Sequence, residues 1–155
     1  LEHFWWTPQS NQISHDAWGA GIAGAPSALT IGEFQDVWAI DTAGGLQHWY
    51  WGPATGGVKM DTWGSGVAGR PAVLTAGAQQ HVFARSGAGA LEHFWWDPAT
   101  NQISHHTWGN GLVGDPTAIM IGQQQHVWAV DADGNQQHWY WDPATNVVAH
   151  DSWGK

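Results

Sequence analysis

Two residue types in this sequence recur at distances that suit recognition of a ligand. Trp6, Trp51, Trp96 and Trp141 stand 45 residues apart, as do Trp18, Trp63, Trp108 and Trp153, and as do His3, His48, His93 and His138. A ligand with C–H groups on one face and hydroxyls around its edge, such as a sugar, asks for an aromatic plate plus several short polar partners. Each copy offers both. The candidate carbohydrate-binding residues are therefore Trp6, Trp51, Trp96 and Trp141, then Trp18, Trp63 and Trp108, with His48, His93, His138, Gln80 and Gln125 as polar neighbours. Gln80 and Gln125 precede His81 and His126, where the first copy has Asp36 instead. Asp keeps an acceptor and loses a donor, so the first copy is expected to differ in affinity.

The bland alternative is that these columns are structural. A Trp found once per repeat commonly wedges two units together, and a recurrent His ties a unit through its two ring nitrogens. The structural role is favoured for the His columns. At least one Trp column is expected to reach a groove, and Trp5 is expected in the core.

Other chemistries fit poorly. His105 and His106 are adjacent, so on a strand they point to opposite sides, which is bad chelating geometry for zinc. "DADGN" at 131–135 places Gly134 too early for a calcium loop and lacks the later Glu, so it reads as a hairpin turn. The acids repeat, as in Asp16, Asp61 and Asp151, or stand alone, as in Glu33; a glycosidase needs an asymmetric pair of carboxylates. There is no Cys nucleophile, no G-x-S-x-G and no phosphate loop, so neither enzyme activity nor a cofactor is expected. A net charge of −9 with only 4 Lys plus Arg lacks the cations that bind a phosphate backbone, which argues against nucleic acid. No apolar run has the length of a membrane-spanning helix. Absence of Cys leaves the compartment open, and a secreted or cell-surface location is compatible with it.

The elements that position these residues follow from the repeat. Residues 1–45, 46–90 and 91–135 align without gaps, and 136–155 form a partial fourth copy. "HFWW" in the first and third copies alternates with "HWYW" in the second and fourth, as though a pair had been duplicated. Within a copy, "GAPSALTIG", "FQDVWAID", "LQHWYW" and "VKMDTWG" predict four short strands separated by Gly, Pro, Asn and Asp turns. No segment has an extended helical period. Four strands per 45 residues predict an all-β β-propeller of four-stranded blades, with a β-trefoil as the alternative. The single array divides into a half blade at 1–25 and blades at 26–70, 71–115 and 116–155. Three and a half blades leave ring closure open, so the chain is expected to be a homo-oligomer or a piece of a longer propeller.

The run "HVWAVDADGNQQHWYWDPATNVVAHDSWG" and its copies resemble the PLL-like bacterial propeller lectins. The resemblance covers essentially the whole chain. It implies seven blades in the complete ring, no catalysis, and multivalent binding of fucose or related, sometimes O-methylated, sugars in pockets between adjacent blades. A non-catalytic scaffold that binds a protein is the other function class compatible with the repeat.

Overall fold

The computed structural model describes residues 1–154. It contains fourteen strands and no helix. β1 (Glu2–Thr7) and β2 (Gln12–Ala17) form a two-stranded sheet. Three four-stranded sheets follow: β3 (Ser27–Ile31), β4 (Phe34–Ile40), β5 (Leu46–Trp51) and β6 (Lys59–Gly64); β7 (Val67–Ala76), β8 (Gln79–Ser86), β9 (Leu91–Asp97) and β10 (Gln102–Gly109); β11 (Thr117–Ile121), β12 (Gln124–Val130), β13 (Gln136–Asp142) and β14 (Val147–Ser152). Every sheet is an antiparallel meander in chain order. The fold is a β-propeller arc, and a trefoil is excluded because each repeat closes its own four-stranded blade.

Turn chemistry sets the register. Asp41 Oδ1 accepts the N–H groups of Ala43 and Gly45, both at 2.8 Å, and Asp131 Oδ1 accepts those of Asp133 and Asn135 at 3.0 and 2.8 Å. Ser86 Oγ plays the same part for Ala90 at 2.9 Å. "DADGN" is thus a hairpin turn whose carboxylate is already engaged. One strand departs from expectation. β7 begins at Val67, ahead of Pro71, and its pairing with β8 is irregular between Ala68 and Ala72. Pro71 has no N–H for the ladder, so the strand passes it with a bulge. The other blades have only single bridges there, Ile22–Asp41 and Leu112–Asp131.

The core lies between blades. Trp38, Ile40, Leu46 and Trp63 of the first complete blade pack with Val82, Ala84 and Phe94 of the second. Leu74, Phe83 and Leu91 of the second pack with Leu112, Val127 and Trp139 of the third. A smaller cluster joins Trp18 to Ala39 and Trp49. Both faces of the two middle blades are therefore packed, which explains why "HWYW" at 48–51 lacks apolar–polar alternation.

The recurrent W-G pair has a steric cause. A Cβ on Gly19 would lie 2.7 Å from Trp49 Nε1, one on Gly64 would lie 2.3 Å from Phe94 Cε1, and one on Gly109 would lie 2.5 Å from Trp139 Cζ2. Each glycine gives up its side chain so that the aromatic strand of the next blade lies flush on the closing strand. This close stacking fixes the width of the clefts described next.

Candidate functional site

The blade seams open outward into three clefts built from the same columns. The first is lined by His3, Trp5, Trp6, Asp16 and Trp18 of the two-stranded sheet, with Gln35 and Trp51 of the next blade. The second is lined by Asp36, His48, Tyr50, Asp61 and Trp63 on one wall, and by Gln80, Trp96, Pro98 and Asn101 on the other. His81, His93, Trp95, His106 and Trp108 face Gln125, Trp141 and Asn146 in the third. Their volumes are about 470, 410 and 370 Å³, within the roughly 300–1,000 Å³ of small-ligand sites.

Strand pairing delivers these side chains. His48 is opposite Trp38 on β4 and Asp61 on β6, so one face of the blade carries Asp36, His48, Tyr50 and Asp61 along its outer half. Trp63 meets the His48 ring edge-on, with centroids 5.2 Å apart, and donates its indole N–H to Asp61 at 3.0 Å. The opposite plate comes from the following blade. Trp96, next to last in β9, donates its indole N–H to Asn101 Oδ1 at 3.1 Å; Trp141 is held by Asn146 at 3.2 Å and Trp6 by Asn11 at 3.2 Å. These asparagines all adopt positive φ, between 51° and 54°, a conformation in which Asn is enriched. Trp51 has Gly56 at the matching position and is 37% exposed.

Both Trp columns therefore reach grooves, from opposite walls. Trp18 and Trp63 are at the same time buried in the seams, together with Trp38, Trp49 and Trp139. Trp5 is 39% exposed and borders the first cleft, contrary to its expected core position. The sheet before it is absent among the described residues, and its column, with Tyr50 and Trp95, is a rim column. Sequence reasoning missed this column, Gln35 and the asparagines, and read Asp16, Asp61 and Asp151 only as repeated acids; each keeps the 45-residue spacing, save that Gly56 stands in the asparagine column.

The His column is structural and site-forming at once. His48 is 4% exposed, and its two nitrogens each stand 3.0 Å from a carboxylate, Asp36 Oδ1 and Asp61 Oδ1. Burial pulls its pKa down, but hydrogen bonds and charge from Asp36 and Asp61 outweigh this and hold it above the ordinary value. In the next blade His81 replaces Asp36, and His81 Nδ1 lies 2.9 Å from His93 Nε2. Burial lowers His81 to about 4 and pushes His93 well down, with His81, His106 and His105 adding repulsion. The two clefts share a frame and differ in chemistry: one has an imidazole between two carboxyl groups, the other a stack of imidazoles whose pKa values burial lowers.

The Gln column joins neighbouring blades. Gln80 Nε2 reaches back 3.4 Å to Asp36 Oδ1, and Gln125 Nε2 lies 3.5 Å from His81 Nε2. Gln80 Oε1, Gln125 Oε1 and Asp36 Oδ2 are buried without a protein partner. Buried acceptors left open at a cleft wall are available to a ligand's hydroxyls.

His138 completes no cleft. It is bonded to His126 and Asp151, each at 2.9 Å, with Trp153 against its ring, but no described blade follows it. His105 and His106 do diverge, His105 Nε2 meeting Glu92 at 2.7 Å and His106 lining the third cleft. No group of three or more His, Asp or Glu able to hold a metal occurs among the described residues. A broader depression of about 500 Å³ near Trp108, Asp131 and His150 offers less, because Asp131 is taken up by its own turn, Asn135 and Gln137.

Four segments, residues 1–28, 35–73, 79–118 and 124–154, match a repeat family described as of unknown function, DUF346. No curated protein sequence matches the chain. Among solved structures it is similar to the SapL1 lectin in complex with alpha methyl fucoside, with a TM-score of 0.71 at 15% identity over 86% of this chain and 48% of that one. It is also similar to a triple arginine-to-alanine mutant of AofleA from Arthrobotrys oligospora, with a TM-score of 0.67 at 11% identity over 97% of this chain and 44% of that one. The chain spans about half the length of each.

Proposed function

We propose that this chain, which belongs to the DUF346 repeat family, is a non-catalytic, multivalent carbohydrate-binding protein that holds one sugar ring in each inter-blade cleft. The observation that carries the proposal is the same cleft built three times with Trp plates on both walls, the second and third also holding unpartnered buried acceptors. Trp96 with Trp63, and Trp141 with Trp108, face the C–H groups of the ring. Gln80 and Gln125 take its hydroxyls, and the His column holds the polar side chains around them in place. Fucose and related or O-methylated sugars suit the apolar patches, since a methyl group meets Phe34 and Pro98 in the second cleft and Val148 in the third. The alpha methyl fucoside in the SapL1 complex supports the same class.

Each cleft contacts little more than one ring, so individual affinity is low, and joint engagement of linked sites raises it by about 10²–10⁴. The half-site at His126, His138, Asp151 and Trp153 extends the series when another blade follows, from a longer chain or a second copy. The test is a glycan array carrying fucosylated and O-methylated glycans, followed by calorimetry. Binding of at least one such class is expected, with no turnover of chromogenic glycosides. Silence across the array overturns the carbohydrate reading and favours a protein-binding scaffold; turnover overturns the absence of catalysis.

A further inference from the structure

The second and third clefts form a natural comparison, because they share a frame and differ in the side chains that line it, Phe34 and Tyr50 giving way to Gln79 and Trp95. Asp36 and Asp61 in the second stand where His81 and His106 are in the third. Asp36 is 2% exposed. Its Oδ1 receives His48 and Gln80, whereas its Oδ2 has no partner. Beside it, Gln80 Oε1 is likewise buried and open. A buried carboxylate oxygen that nothing in the protein satisfies is costly unless a donor reaches it from the cleft.

The ionisable groups facing that space all come from one wall. Asp36 from β4 and Asp61 from β6 place two carboxyl groups on this face, His48 from β5 stands between them, and Lys59, opposite Tyr50 on β6, lies at the outer end of the same face. The opposite wall contributes Ala78, Gln80, Trp96, Pro98 and Asn101, none of them ionisable. Both carboxyl groups therefore border walls made by Phe34, Tyr50, Trp63 and Trp96. Aromatic faces attract cations, most strongly where water is displaced. The third cleft has the aromatic walls without any carboxylate.

Building on the carbohydrate reading, we propose that the cleft between β3–β6 and β7–β10 selects a sugar bearing a protonated amino group, which donates to Asp36 Oδ2 and Gln80 Oε1, while the next cleft takes neutral sugars. The chain then carries two specificities on one frame, set by the residue after the Gln column.

The probes are galactosamine, glucosamine and mannosamine at mildly acidic pH, each beside its neutral parent hexose and its N-acetyl derivative, which keeps the nitrogen and loses the charge. Binding is followed at each cleft separately through the indole N–H resonances of Trp63 and Trp96 and of Trp108 and Trp141. A charged donor exceeds a neutral one by enough to give about a tenfold preference for the amino sugar in the second cleft. No preference is expected in the third cleft or for the N-acetyl form. Asp36→Asn, which keeps the shape of the side chain, lowers the amino-to-neutral ratio to that of the third cleft. His81→Asp installs a carboxylate in the third cleft and raises the ratio there, so the proposal does not rest on one variant folding. Equal binding of amino and neutral sugars in the second cleft overturns this proposal and leaves carbohydrate binding standing. Failure of every neutral and amino sugar to bind overturns both.

Discussion

Gly64→Ala tests whether the blades are held in register by the W-G pair. The new Cβ would stand 2.3 Å from Phe94 Cε1 and 2.8 Å from Cζ, well inside van der Waals contact. Phe94 is 4% exposed, belongs to the seam core and stacks on His105 with centroids 4.5 Å apart. The ring is rigid and has no free side toward which to turn, so the seam itself must open. Overpacking of this kind costs about 1–3 kcal/mol. The control is Gly87→Ala, where nothing lies within 4 Å and no positive φ is involved; it should stay within about 0.5 kcal/mol of the parent. Urea unfolding followed by Trp fluorescence reads both. Phe94→Leu in the Gly64→Ala background should recover part of the loss, because the two sites are in contact and couple. A Gly64→Ala protein as stable as the parent would refute the steric account of the motif.

Further expectations divide the Trp columns and the titrating groups. Trp63, 7% exposed within the seam core, should cost about 3–5 kcal/mol of stability when replaced by Ala. Trp96→Ala should cost less stability and lower sugar affinity roughly tenfold; a Trp96→Ala chain that fails to fold would make that column blade core. Gly56→Asn should anchor the Trp51 indole as Asn101 anchors Trp96, since Gly56 already holds a φ of 66°, and calorimetry should show tighter binding in the first cleft. The pH dependence has two signs. His81 titrates near 4 and His93 is also lowered from the ordinary 6.5, so the unfolded chain takes up protons first and stability falls as pH drops below about 6.5. His48 is raised, so its contribution is present below that value and is lost as pH rises through its folded pKa. Urea midpoints across pH should show His81→Gln flattening the acid side and Asp36→Asn the alkaline side.

The fold was legible because a single spacing organises it. Strand and turn residues recur every 45 positions, so each weak local signal is repeated. Which side chains share a cleft was less so, because the partners come from different blades: Trp63 meets Trp96, and Asp36 meets Gln80, at separations that are not the repeat length. The Trp5 column was misplaced for a related reason. In "HFWW" the period of two along a strand puts Trp5 on the same face as His3, and His3 Nδ1 in turn meets Asp16 at 3.2 Å, so Trp5 follows the polar face to the rim. The passage of β7 through Pro71 could not be foreseen from the copies in which the strand starts after Pro26 and Pro116. The charge contrast between the second and third clefts was visible as Asp36 against His81, but its size depends on burial, which only the stacked blades supply.

The measurement that bears most directly on sugar binding between the blades is a titration of the protein with alpha methyl fucoside, read at the tryptophan indole N–H resonances. If sugars occupy the clefts, the signals of Trp63, Trp96, Trp108 and Trp141 shift and saturate, while those of the seam residues Trp38, Trp49 and Trp139 stay in place. Shifts confined to the seam residues, or an unchanged spectrum at saturating fucoside and with O-methylated sugars, would contradict it.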